Sequence, residues 1–126
     1  MNKLFLIFNH TLTKEQIEDA KKSLYVNAFL PLPEALQTVW STIPPYETDI
    51  KPALRPIKDF LAHNGDNGDF ALIQGDFGSC YELVNFCKSI GITPVYATNT
   101  RVSTEELKDG VVHKVSEFKH CIFRKY

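Results

Sequence analysis

The sequence lacks any long hydrophobic run and any marked excess of charge of one sign. Its 14 Lys and Arg residues against 15 Asp and Glu residues give a formal net charge of −1. Proteins that coat duplex nucleic acid are normally basic, so we expect no duplex DNA or RNA as a partner. The apolar run from Leu4 to Phe8 is far shorter than the ~18 residues of a membrane span, and no signal-peptide cleavage pattern follows it. The sequence therefore predicts a cytoplasmic protein with no membrane partner.

Cysteine is scarce, and no set of His, Cys and acidic residues has the spacing of metal ligands. The three cysteines are Cys80, Cys87 and Cys121, an odd number without the paired spacing of a disulfide framework. Cys80 and Cys87 are seven residues apart and share a helix face, so we interpret them as small core residues. We expect no metal and no cofactor.

What the 126 residues do contain is 44% hydrophobic residues, enough to form the core of one domain over residues 1–126. Short apolar runs predict buried strands at 3–8, 28–30, 70–74 and 93–97. Apolar residues at helical spacing predict helices over 13–24, from Pro33 to Pro44, over about 50–61 and over 79–90. The first helix has a capping box formed by Thr13 and Gln16, and in the third Pro52 and Pro56 suggest a late start or a kink.

The C-terminal quarter of the chain predicts β structure. Ser103 and Glu106 could cap a short helical turn. From Val111 to Tyr126 β-branched and aromatic residues are dense, which indicates two strands paired as an antiparallel hairpin. The order β-α-β-α-α-β-α-β plus a hairpin predicts an α/β fold. We expect a Rossmann-like three-layer sandwich, with a mainly parallel sheet and a C-terminal antiparallel β-hairpin.

Small polar residues follow three of the predicted strands where each strand ends. The carboxyl ends of parallel strands meet at one edge of a sheet, and ligands bind there. A phosphate or nucleotide site at this edge is therefore the leading functional hypothesis. Its candidate residues are Asn9, His10 and Thr11 after the first strand, Gln74, Gly75, Asp76, Phe77, Gly78 and Ser79 after the third, and Thr98, Asn99 and Arg101 after the fourth.

Each group of candidates also has a simpler structural interpretation. The turn from Gly75 to Gly78 could bring backbone amides close to an anion, or it could be an ordinary strand-to-helix turn. Asp76 could accept from a ribose hydroxyl or cap the following helix. His10 could donate to phosphate or transfer protons, or it could belong to a capping turn. Arg101 could bind phosphate through two parallel hydrogen bonds, or it could be a solvated surface arginine.

Several of these motifs resemble those of one family of small proteins encoded beside type III CRISPR systems and grouped with the ring nucleases. The resemblance covers nearly the whole chain. It implies binding and linearisation of a cyclic oligoadenylate second messenger, usually the tetra-adenylate, in antiviral defence. It also implies a Rossmann-like fold and a ring bound across a homodimer. The motifs that carry it are Leu4 to Thr13, Ile73 to Gly78, Pro94 to Thr98, Phe118 to His120 and Phe123 to Tyr126.

Cleavage of such a ring needs no metal, because each ribose 2′-OH lies beside its own 3′ phosphate and can attack it. The products would have 2′,3′-cyclic phosphate ends, and positioning with charge stabilisation could supply most of the rate. The resemblance does not assign catalytic residues. On chemistry alone, His10 is the candidate acid or base, and the other strand-end residues are candidate ligands of phosphate, ribose and adenine.

Two other functions remain open from the sequence. The protein could bind the messenger without cutting it, or it could be an unrelated enzyme of a small phosphorylated metabolite. For the messenger hypotheses we expect a homodimer, because a two-fold axis through a symmetric ring lets one set of loops serve both halves. The C-terminal hairpin and the helix over 79–90 are the candidate interface elements.

Overall fold

The computed structural model describes residues 2–126. Five strands and four helices lie within this range. Among these residues, no helix is both long enough and apolar enough to cross a bilayer. In chain order the elements are β1 (Asn2–Ile7), α1 (Lys14–Ser23), β2 (Val26–Pro31), α2 (Glu34–Ser41), α3 (Lys51–Asn64), β3 (Phe70–Ile73), α4 (Phe77–Ser89), β4 (Thr93–Lys108) and β5 (Val111–Lys125).

The five strands form one mixed sheet in the order β2-β1-β3-β4-β5. The first four are mutually parallel, and β5 is antiparallel to β4. The predicted α/β class and the mainly parallel sheet are confirmed, and the C-terminal part of the sheet is antiparallel, with β4 paired to β5. The chain runs outward from β1 to β2 and then returns past β1 to β3. The carboxyl ends of β1 and β3 therefore flank the point where the strand order reverses, which is where open α/β sheets bind ligands.

Alternate residues of the strands point to opposite faces of the sheet and build two hydrophobic clusters. Phe5 of β1 belongs to a cluster completed by residues of α2, α3 and α4, such as Trp40 and Leu83. Its neighbour Leu4 belongs to the second cluster, which contains Ala20 of α1. The strand order accounts for this division, because crossovers of the same hand that leave β1 in opposite directions put their helices on opposite faces of the sheet.

The local helix signals have mixed outcomes. The capping box of α1 is confirmed: Thr13 Oγ1 accepts from Gln16 N at 3.2 Å, and Thr13 N donates to Gln16 Oε1 at 2.9 Å. Helix α3 begins at Lys51, so the expected late start is wrong. Pro52 lies in its first turn, where a backbone N–H has no helical partner, and the helix continues through Pro56.

The C-terminal β structure differs from the prediction in its pairing. The expected helical turn at 103–106 is wrong, because β4 runs through it to Lys108. The expected pair of strands within 111–126 is also wrong, because β5 is one strand that pairs with β4. The two strands are joined by Asp109 and Gly110, with φ of 53° and 75°. Such a two-residue Asp-Gly turn matches the twist of a hairpin.

The outer part of this hairpin extends past the rest of the sheet as a two-stranded ribbon. We use the term ribbon for residues 100–119. Almost all of these residues are exposed. Several of the exposed side chains are large and apolar, including Leu107, Val111, Val112 and Phe118.

Candidate functional site

Gln74 is the central residue of the carboxyl edge, because its hydrogen bonds join three elements. Its backbone N donates to Ile7 O at 3.0 Å, and its carbonyl accepts from Trp40 Nε1 at 3.1 Å. Its side-chain Oε1 accepts from Ala97 N at 2.9 Å, in β4. Because Oε1 must face the Ala97 amide, Nε2 points away from that bond. The two N–H groups of Nε2 have no protein acceptor within residues 2–126.

Gly75 is explained by the tryptophan packed beneath the turn. A Cβ added at Gly75 would lie 2.9 Å from Trp40 Nε1, closer than side chains approach one another. The glycine therefore permits the approach of the Trp40 ring that secures Gln74. Packing against Trp40 therefore explains the glycine at this position, whether or not a ligand binds to the turn.

Asp76 is the N-cap of α4. Its Oδ2 accepts from Ser79 N at 3.0 Å and from Ser79 Oγ at 2.8 Å. Ser79 is fully buried, so its amide and hydroxyl are already satisfied within the protein. Phe77 and Gly78, expected in the turn, form the first residues of the helix. Of the two roles considered for Asp76, the structure contains the cap.

The first strand end is tied to α2 through Asn9. Its Oδ1 accepts from Ser41 Oγ at 2.8 Å and from Gln37 Nε2 at 3.2 Å. His10 is exposed, and its ring meets the edge of Phe8 at a centroid distance of 6.2 Å. Helix α1 is capped by Thr13, and His10 takes no part in that cap. His10 and Thr11 face open space at the edge.

The third group of candidates is divided by a bulge in β4. The register shifts between Ala97 and Asn99. Thr98 Oγ1 spans the bulge, since it accepts from Ile122 N at 3.1 Å and donates to Ile122 O at 3.2 Å. Arg101 lies further out on the ribbon, where it is exposed and donates to Ser116 Oγ at 3.2 Å.

Two cavities flank Gln74, one on each side of the sheet. The first, of 610 Å³, lies beside α1 and has polar and charged walls; we call it the polar cavity. It brings together the candidates His10, Thr11, Gln74 and Asn99. Its other lining residues are Phe8, Thr13, Lys14, Glu15, Gln16, Ala97, Glu117, Phe118, Lys119 and His120.

One residue that lines the polar cavity, His120, forms an ion pair that sequence reasoning missed. His120 Nε2 lies 2.7 Å from Asp19 Oδ2 and joins β5 to α1. The His120 side chain is 5% exposed, and its buried Nδ1 has no hydrogen-bond partner among residues 2–126. Burial tends to raise the pKa of Asp19, but hydrogen bonds from Ser23 and His120 more than offset this and leave it lowered. The carboxylate therefore stays ionised and favours a proton on Nε2.

The second cavity, of 490 Å³, lies beside α4, and four of its eight lining residues are aromatic; we call it the aromatic cleft. Sequence reasoning missed it, because its walls come from distant parts of the chain. One signal was available: Phe77 and Tyr81 are four residues apart and share a helix face. The lining residues are Gln74, Gly75, Phe77, Cys80, Tyr81, Val84, Tyr96 and Tyr126.

The inner wall of the aromatic cleft is held in place by hydrogen bonds. The hydroxyl of Tyr126 donates to Ile73 O, and its ring lies 4.9 Å from that of Tyr96. Arg124 Nη1 donates to the Tyr96 hydroxyl at 3.0 Å. Burial raises the pKa of Tyr126 to about 12 and also raises that of the Cys80 thiol, so both are neutral at pH 7.

A buried carboxylate at the opposite, amino edge of the sheet is structural. Asp69 is 3% exposed. It accepts from Lys3 N at 3.0 Å, from Asp66 N at 2.8 Å, and it pairs with Lys3 Nζ at 3.1 Å. Across residues 2–126, no three His, Cys, Asp or Glu side chains are grouped so that they could hold a metal ion.

The fold and its two cavities define a mixed α/β protein with a ligand-sized cleft at the carboxyl edge of its sheet. The chain belongs to the Uncharacterized protein MJ1673 family, whose model matches residues 2–124. It is 48% identical over 126 residues to the Uncharacterized protein MJ1673 of Methanocaldococcus jannaschii, covering 100% of this chain and 98% of that relative. No solved structure matches the chain.

Proposed function

We propose that this protein is a ring nuclease that binds a cyclic oligoadenylate, in particular cyclic tetra-adenylate, and linearises it. One observation carries the proposal. The ends of β1 and β3 and the bulge of β4 after Ala97 lie around Gln74, between a polar and an aromatic cavity, at the point where the strand order reverses. The motifs that resemble CRISPR-associated ring nucleases lie largely at the same edge. The helices on both faces of the sheet fit the Rossmann-like three-layer arrangement of such proteins.

The polar cavity has suitable groups for a ribose-phosphate chain. Lys14 and Lys119 line it and can offset phosphate charge, and Asn99 and Thr11 offer groups that bind ribose hydroxyls. Glu15 and Glu117 also line it. The mixed charge favours a ligand with one negative charge and one free hydroxyl per nucleotide, as in a ring of phosphodiesters, over a polyphosphate with its charges close together.

Cleavage would use the ligand's own 2′-OH as nucleophile. The protein would hold one ribose so that this oxygen lies in line with the leaving 5′ oxygen, and proximity would supply most of the rate. His10, exposed at the rim of the polar cavity, would take the 2′-OH proton or protonate the leaving oxygen. The product would have a 2′,3′-cyclic phosphate end. Because the nucleophile is internal to the ligand, the reaction requires no metal and no cofactor.

The active unit would be a homodimer. A cyclic tetranucleotide has repeating symmetry, so a two-fold axis would present identical edges to its two halves. The exposed apolar side chains of the ribbon, among them Leu107 and Phe118, provide surface for contact with a second copy. Sedimentation with and without the ring should reveal the dimer, and a strict monomer in both conditions would contradict it.

A second candidate function, binding without cleavage, is favoured by the surroundings of His10. Catalytic bases are usually oriented by a third group. Within residues 2–126, no side chain is hydrogen-bonded to the His10 ring. A protein that only sequesters the messenger would use the same cavities and would need no proton transfer.

One experiment separates these functions. Excess protein is incubated with cyclic tri-, tetra- and hexa-adenylate in the presence of a chelator, and the products are resolved by chromatography. We expect linear product with 2′,3′-cyclic phosphate ends from the tetra-adenylate. Tight binding with the ring recovered intact would establish sequestration. Rescue of cleavage by a divalent ion would refute the metal-independent mechanism, and absence of binding to all three rings would refute the proposed function.

A further inference from the structure

We infer that the aromatic cleft is a nucleobase site that stacks one adenine of the ligand between the rings of α4 and those of the C-terminal strands. That the base belongs to a cyclic oligoadenylate rests on the proposed function. The contacts described below would bind the adenine of any nucleotide. Five of the lining residues were not among the candidates predicted from the sequence: Cys80, Tyr81, Val84, Tyr96 and Tyr126.

The mouth of the cleft exposes aromatic surface that is otherwise unexplained. Phe77 is 94% exposed and Tyr81 is 68% exposed, although both could be buried with gain of free energy. They lie one helical turn apart on the same side of α4, and both line the cleft. A planar ligand entering the cleft would cover both rings.

The inner wall is already ordered and faces these two rings. Tyr126 is fixed to Ile73 O, and Tyr96 is held by Arg124. The guanidinium of Arg124 lies 5.6 Å from the centroid of the Tyr96 ring. A ligand that stacks here meets a wall that loses little conformational entropy on binding.

The lining of the cleft is uncharged, which favours a base over a phosphate. Its eight lining residues include no Asp, Glu, Lys, Arg or His. Burial raises the pKa of two lining groups, the Cys80 thiol and the Tyr126 hydroxyl, so both are neutral at pH 7. Bases stack on aromatic side chains whatever their sequence, because each base has a π-face. A volume of 490 Å³ is within the range of small-molecule sites.

Gln74 supplies the polar group that would read the base. Its Nε2 offers two N–H groups, and its Oε1 retains a second lone pair beside the bond from Ala97 N. A Gln amide pairs with the N6 and N7 edge of adenine in this donor and acceptor arrangement. Gln74 lines both cavities, so a base in the aromatic cleft would place its ribose and phosphate towards the polar cavity.

The test removes one exposed ring at a time. Phe77→Ala and Tyr81→Ala delete side chains that are mostly in water, so the fold should persist. Tyr46→Ala is the matched control, because Tyr46 is 96% exposed in the connection between α2 and α3. Calorimetry measures the affinity of each protein for cyclic tetra-adenylate, adenosine 5′-monophosphate and ribose 5-phosphate.

We expect each cleft variant to lose about fivefold to a hundredfold in affinity for both adenine ligands, as deletion of one stacking ring does in other proteins. The Tyr46→Ala variant should bind like wild type. Ribose 5-phosphate has no base, so its affinity should be the same for all four proteins. A bound base should also shield Cys80 from alkylation, with the exposed Cys121 as an internal reference.

The outcomes separate this inference from the proposed function. If the cleft variants bind the ring as tightly as Tyr46→Ala does, the nucleobase site is refuted and the ring-binding function stands. If wild type binds adenosine 5′-monophosphate in the cleft but binds no ring, the function is refuted and the nucleobase site stands. If wild type binds neither adenine ligand, both are refuted.

Discussion

The cap of α4 permits a direct test of what Asp76 does. Asp76→Ala removes the acceptor of two hydrogen bonds, from the amide and the hydroxyl of Ser79. Loss of an Asp N-cap costs about 0.5–2 kcal/mol. The buried Ser79 hydroxyl would also lose its partner, at a cost of about 1–3 kcal/mol. Because one oxygen accepts both bonds, the two costs overlap, and we expect a total loss of about 2–3 kcal/mol.

Urea denaturation, followed by the fluorescence of the single tryptophan Trp40, measures this loss. With a slope of about 1–3 kcal/mol per molar urea, the midpoint should fall by roughly 1–2 M. Asp76→Asn keeps a capping oxygen and should lose less than half as much. Asp49→Ala is the control, since Asp49 is an exposed carboxylate whose one hydrogen bond within the described residues comes from Lys51 N, at 3.1 Å, beside the start of α3.

If Asp76 is a ribose ligand and not a cap, the effects of its substitution on stability and on binding should be reversed. In that case Asp76→Ala would unfold at the wild-type urea concentration, while Asp76→Ala and Asp76→Asn would both weaken ring binding. That pair of results would refute the assignment of Asp76 as a cap. Equal loss of stability in both variants would show that the negative charge at the helix end, and not the hydrogen bonds, is what stabilises α4.

Three further predictions concern other parts of the molecule. His10→Ala should slow single-turnover cleavage by at least about tenfold with little change in ring affinity or melting temperature; an unchanged rate would leave positioning alone as the mechanism. Lys119→Ala, in the polar cavity, should weaken ring binding more than Arg101→Ala, on the ribbon; the reverse order would show that the ribbon closes over the ligand. Asp69→Asn should cost about 1.5–3 kcal/mol at pH 7 in urea denaturation. Burial alone would raise the pKa of Asp69, but its hydrogen bonds to Lys3 and to the Asp66 amide leave that pKa lowered. The loss of stability should therefore persist above pH ~4 and vanish as the pH falls through the pKa of Asp69 in the folded protein. A loss that does not change with pH would refute this.

Local signals in the sequence predicted the parts of the fold that depend on near neighbours. The capping box at Thr13 depends on residues three apart, and it is present as expected. The sequence pattern predicts α4 from residue 79, two residues after its actual start, because the sequence left the cap as one of two possible roles for Asp76. Candidates at the ends of β1 and β3 lie at one edge because parallel strands share a direction, which follows from topology alone.

Features that depend on distant pairing could not be derived in the same way. Ser103 and Glu106 have the spacing of a capping box, yet both lie in β4 opposite residues of β5. Cross-strand pairing overrides so weak a local preference. The turn residues Asp109 and Gly110 are a better indicator than the spacing of Ser103 and Glu106, because Asp-Gly between β-rich segments predicts a two-residue hairpin turn. The aromatic cleft was missed for a related reason, since its inner wall comes from β4 and the end of the chain.

The position of Arg101 depends on a single bulge. A strand ending at Ala97 would have left Arg101 in a loop at the carboxyl edge, beside Gln74. Thr98 instead bonds to both backbone groups of Ile122 across the bulge, so β4 continues into the ribbon and takes Arg101 with it. Cations that reach the polar cavity are then supplied by α1 and β5, as Lys14 and Lys119. Positive charge for binding phosphate is therefore still present at the carboxyl edge of the sheet, but Lys14 and Lys119 supply it in place of Arg101.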